Sequence, residues 1–145
     1  MRDIDKIIIH CSATKPDMDI GVVEIDQWHR LRGFDGVGYH TIIRRNGYKE
    51  QGRPLIRVGA HARGFNAHSI GICMVGGVDE NNKPENNFAM EQFRTLIDEL
   101  IVLKEQFPDA EILGHRDLPG VNKDCPCINV GAWIASGTKS YEAAA

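Results

Sequence analysis

Apolar and polar positions along the chain follow two different periods. Residues 5–10, DKIIIH, form a short β-branched run that ends on a histidine, the pattern of a buried strand that delivers His10 at its end. A turn-rich stretch follows. From Val22 the spacing of Val22, Ile25, Trp28 and Leu31 predicts a helix with one apolar face, ended by Gly33, which can take up the positive φ of a helix C-terminus. YHTIIRRNGYKEQG then alternates apolar and polar side chains around Asn46-Gly47, the strongest short hairpin signal, so two antiparallel strands are expected. SIGICMV predicts a further central strand. After the polar loop GGVDENNKPENN, the apolar positions Met90, Phe93, Leu96, Ile97, Leu100, Leu103 and Phe107 recur at steps of three and four, which predicts a long amphipathic helix stopped before Pro108. AEILGH is another short strand ending on a histidine, His115, and INVGAWIAS suits a last short helix.

This order of elements predicts an α/β fold, a central mixed β-sheet with helices packed on it. At 145 residues the chain is long enough for one domain with a proper core and too short for two. The domain is expected over residues 1–136; the tail at 137–145 carries no packing signal and is expected to be flexible. A net charge of −3 without a Lys/Arg block offers no footprint for a nucleic acid backbone. The start, MRDIDKIIIH, is too short in apolar residues for a signal-peptide core or a membrane span, so the chain is expected to be made in the cytosol without stable membrane association.

Four cysteines in a reducing compartment, in a chain with an adequate core, point to metal binding or burial rather than to a disulfide scaffold. Cys73, inside SIGICMV, reads as a small buried hydrophobe. The C-P-C of Cys125 and Cys127 is compatible with half of a disulfide, a redox pair or one corner of a metal site. Two strands that each end in histidine, followed ten residues later by a cysteine, suggest that His10, His115 and Cys125 meet at one edge of the sheet. Imidazole nitrogen and thiolate sulfur suit Zn²⁺, and three protein ligands leave a fourth position open, as in catalytic rather than structural sites.

The segments IIIHCSAT, QWHRLRGFDGVGYH, VGAHARGFN, SIGICMVGG, GHRDLPG and KDCPC occur in this order over residues 7–127. Together they resemble the zinc-dependent type-2 N-acetylmuramoyl-L-alanine amidases, in particular their small phage-endolysin branch. The resemblance implies one Zn²⁺ per chain on His10, His115 and Cys125, with Tyr39 of GYH and Lys123 of KDC as the catalytic pair. It implies peptidoglycan as substrate, at the bond between N-acetylmuramic acid and L-alanine of the stem peptide, reached after release through a membrane lesion; the protein is expected to be a monomer. The alternative is a module that binds peptidoglycan without cutting it; family members of that kind typically lack the cysteine ligand, which this chain keeps.

Other polar residues have plainer readings. His40 follows Tyr39 on a strand and should face the opposite side, as Cys11 should beside His10. His29, in the first helix, reads as a packing or hydrogen-bonding residue. His61 and Asn66 share a Gly-rich loop and are expected to touch substrate. Arg116 is placed between pairing with a stem-peptide carboxylate and pairing with a surface acid. Proline between the two cysteines makes it improbable that both sulfurs reach one ion, and Cys127 is expected to pack beneath the last helix.

Overall fold

A computed structural model of the protein describes residues 1–138. The run KIIIHC forms β1 (Lys6–Cys11), with Ile7, Ile8 and Ile9 wholly inaccessible, so both of its faces are covered. It lies between β4 (Ser69–Met74) and the edge strand β5 (Glu111–Gly114), parallel to both. On the far side of β4 comes β2 (Thr41–Ile43), also parallel, and antiparallel to it the short β3 (Lys49–Gln51). The sheet is therefore mixed, in the order β3-β2-β4-β1-β5, as the alternation of elements predicts. The expected hairpin is present but its strands are only three residues long. Arg44 and Tyr48 close its turn through a bond of 2.8 Å, and Gly47 sits at φ 87°.

Strand alternation sorts the core into two layers. Ile7, Ile9, Ile70, Ile72 and Met74 face α2 (Met90–Gln106) through Phe93, Leu96, Leu100 and Leu103, together with Trp133 of α3 (Val130–Ala135). Met90, at the start of the expected apolar stripe, is instead exposed. Buried on the same helix, Gln92 is satisfied: its Nε2 donates to the carbonyls of Ile43 and Val75. On the opposite face Ile8, Leu113 and Leu118 form one small cluster, and Ile25 of α1 (Val22–Leu31) joins Ile42, Cys73 and Val75 in another.

The apolar face expected for α1 is corrected. Trp28 is exposed and Leu31 is 86% exposed, while the buried residues are Ile25 and His29. An i, i+4 pair turned to the sheet needs only one apolar member here, because the imidazole of His29 is satisfied by the Gly38 N–H at 2.8 Å. The tail expected at 137–145 falls, from 139 onward, outside the described residues. Among the described residues no helix is long and apolar enough to cross a membrane.

Candidate metal centre and its cleft

β1 and β5 run in parallel with Ile8 opposite Leu113 and Ile9 opposite Gly114, so the next residues, His10, still paired with Cys73 of β4, and His115, just past the end of β5, lie side by side. Their ring centroids are 4.6 Å apart. Cys125 reaches the same point from the loop after β5, which is tied down where the Arg116 N–H donates to the Cys125 carbonyl at 2.8 Å. The Cys11 N–H points at the Cys125 Sγ from 3.3 Å, and that sulfur lies 3.8 Å from the His10 Nδ1. One ligand atom from each of His10, His115 and Cys125 lies within 4.8 Å of the other two, an arrangement able to hold a metal ion. Burial, reinforced by His61, His115 and Lys123, pushes the His10 pKa well down, and burial followed by Lys123 lowers that of His115. Both imidazoles are therefore neutral at pH 7, the state that ligation requires.

Tyr39 precedes β2 rather than lying within it, and its ring stands 5.1 Å from His10 and 5.3 Å from His29. Gly38 makes this placement possible. A Cβ there would stand 2.0 Å from the Ala60 carbonyl oxygen, where the two loops cross and the Ala60 N–H donates to Gly38. Burial, with the thiols of Cys73 and Cys125 nearby, holds the Tyr39 hydroxyl well above its ordinary pKa. The ring of His40 stands 5.8 Å from that of His61 and is bonded to backbone on both nitrogens. The Gly71 N–H donates to Nδ1 at 3.1 Å and Nε2 donates to the Arg57 carbonyl at 2.8 Å.

A cleft of about 890 Å³ opens over the three histidine and cysteine ligand atoms, and Tyr39, His61, Asn66 and Lys123 also line it. His61 turns its Nδ1 to the His10 Nε2 at 2.8 Å, and the Asn66 Oδ1 accepts the N–H groups of His61 and Ala62, both at 2.9 Å. Arg116 lies outside the cleft lining. Cys11 is buried, and the Cys127 Sγ lies 3.7 Å from its sulfur, so what Cys127 meets is the end of β1. Arg32 and Phe34 line the cleft without having drawn notice in the sequence, the guanidinium 5.2 Å above the ring. A basic residue beside a helix C-terminus has an ordinary role with the helix dipole, which hides such a signal.

The profile of the family described as N-acetylmuramoyl-L-alanine amidase matches residues 1–128. The endolysin of Enterobacteria phage K11 is 43% identical over 136 residues, covering 94% of this chain and 89% of that protein. The endolysin of Escherichia phage T7 is 43% identical over 129 residues, or 89% and 84%. Among solved structures, the N-acetylmuramoyl-L-alanine amidase LysC from Clostridium intestinale superposes with a TM-score of 0.80 at 27% identity, covering 94% of this chain and 86% of that one. The chain belongs to the N-acetylmuramoyl-L-alanine amidase family, as one of its endolysin-like, cell-wall lytic members.

Proposed function

We propose that the protein is a zinc-dependent amidase that holds one Zn²⁺ on His10, His115 and Cys125 and cleaves the bond between the lactyl group of N-acetylmuramic acid and L-alanine. The observation that carries this reading is the convergence of two imidazoles and one thiol at the floor of a cleft that Tyr39 and Lys123 also line. The donor set fits the ion. Zinc bonds of about 2.0 Å to nitrogen and 2.3 Å to sulfur put tetrahedral ligands about 3.5 Å apart, close to the 3.8 Å between the His10 Nδ1 and the Cys125 Sγ.

When bound, zinc supplies a Lewis acid and lowers the pKa of water from about 16 to roughly 7. The chain's own residues do the rest. The Tyr39 hydroxyl, beside the ligand His10 on the cleft, serves as a hydrogen-bond donor to the oxyanion that develops on the scissile carbonyl. Lys123, exposed on the cleft, brings a cation to the same developing charge. Asn66 braces the loop that forms one wall, and His61 stands on that wall. The protein acts as a monomer, is made in the cytosol and meets peptidoglycan after release.

Mass spectrometry of purified peptidoglycan digested by the protein tests the reading. Released stem peptides should begin with a free L-alanine amine, a chelator should stop their release, and added zinc should restore it. Peptides that remain joined to muramic acid, or release unaffected by a chelator that strips the protein of metal, would refute it.

A further inference from the structure

We infer that His61 is a positioning residue of the metal centre, accepting the Nε2–H of His10 at its Nδ1 and so leaving the His10 Nδ1 bare for the metal. The inference rests on the metal reading above and adds to it a supporting residue with a defined proton arrangement. Of the two nitrogens of His10, Nδ1 faces the Cys125 sulfur at 3.8 Å and Nε2 faces His61 at 2.8 Å. A neutral imidazole that ligates through one nitrogen carries its proton on the other, so His10 is the donor in this bond. His61 then accepts at Nδ1 and keeps its own proton on Nε2, 3.4 Å from the hydroxyl oxygen of the fully buried Ser69. Both ring nitrogens of His61 are thereby engaged within the protein, and neither is left to hold substrate.

The space around the ring is an independent sign. Gly71 sits in the middle of the buried strand β4, where glycine weakens a strand and nothing in its φ demands it. A Cβ on Gly71 would stand 2.5 Å from the His61 Cγ, and one on Gly59 would stand 2.7 Å from its Cδ2. Two glycines thus clear the slot that His61 occupies. Asn66 fixes the backbone of the same residue by accepting two successive N–H groups, and the ring meets His10 edge-on with centroids 4.9 Å apart. Partners that hold the second nitrogen of a ligating histidine fix its tautomer, and their loss commonly weakens metal affinity by about 10- to 100-fold.

The experiment measures zinc affinity by competition with a chromophoric chelator for the wild type, His61→Ala and His61→Gln, and the KM of each for peptidoglycan. His61→Ala should bind zinc about 10- to 100-fold more weakly, while His61→Gln, whose amide oxygen can accept from the His10 Nε2–H, should recover most of the loss. Nitrogen-15 NMR of the zinc-loaded wild type should show the His10 proton on Nε2. If His61→Ala does not fold, as judged by circular dichroism without metal, the NMR assignment alone decides. Unchanged zinc affinity with a raised KM would make His61 a substrate contact, and a metal bound through the His10 Nε2 would also overturn the inference. A wild type that binds no zinc would instead overturn the metal reading itself, and this inference with it.

Discussion

The Sγ of Cys125 lies 3.8 Å from the Nδ1 of His10. The sulfur two residues further along turns elsewhere, to the Cys11 thiol at 3.7 Å, and its bond with Cys11 raises the Cys127 pKa. A ligand must be thiolate at neutral pH, whereas a thiol held protonated inside a sulfur pair is a packing group. Cys125→Ser should therefore lose both zinc and lytic activity. Cys127→Ser should keep zinc and most activity, with a stability loss of about 1 kcal/mol. Metal analysis and turbidity assays on the two variants decide between the sulfurs, and the reverse pattern would reassign the ligand.

Tyr39 and Lys123 line the cleft without belonging to the cluster of ligand atoms. Tyr39→Phe and Lys123→Ala should each retain one zinc per chain while turnover falls about 100- to 1,000-fold, the usual loss on removing one donor to an oxyanion. Zinc content measured beside kcat separates this from a ligand role, because a variant that loses the metal would show that the residue acts on the ion.

The strand-end histidines made the centre legible in the sequence. A β-branched run ending at His10 and another run ending at His115 become neighbouring parallel strands, and no further information is needed to bring the two rings together. The site of Cys125 was only suggested by its place ten residues after His115 and was sharpened by the family motif, since a loop's path depends on contacts such as the bond from Arg116 to its carbonyl. The inward face of α1 escaped periodicity because a histidine, His29, takes an apolar position by bonding the Gly38 N–H. The His61 slot was equally hidden. It is made by glycines at 59 and 71, one in a loop and one in a strand, and is visible only when the two are brought together.

Gly38 carries a prediction of its own. The Cβ of Gly38→Ala would meet the Ala60 carbonyl oxygen at 2.0 Å, a methyl against backbone that has no free side chain to give way, so the two loops must separate. Overpacking of this kind costs about 1–3 kcal/mol, and the displaced segment carries Tyr39. The variant should melt earlier and turn over more slowly while binding zinc as tightly as the wild type. Wild-type turnover in a folded Gly38→Ala protein would show that the loop crossing does not position the tyrosine.

His40 offers a test of acid sensitivity away from the metal ligands. It is 2% exposed, and burial lowers its pKa from the ordinary 6.5 to about 4, against the opposing effect of its bond to the Arg57 carbonyl. Above pH 6.5 the ring is neutral in both the folded and the unfolded chain and favours neither. Between 6.5 and 4 the unfolded chain takes up a proton that the folded chain refuses, so stability falls as the pH falls through this window. At pH 4.5 the loss due to His40 is about 3 kcal/mol, two pKa units at about 1.4 kcal/mol each. His10 and His61 shift in the same direction and remain in any variant at position 40. Urea unfolding at pH 7.5 and 4.5 should therefore show a drop in stability that is smaller by about 3 kcal/mol in His40→Gln than in the wild type, even though the substitution itself weakens the fold at both pH values. Equal drops would mean that His40 accepts its proton in the folded state, and that its two backbone bonds do not hold it neutral.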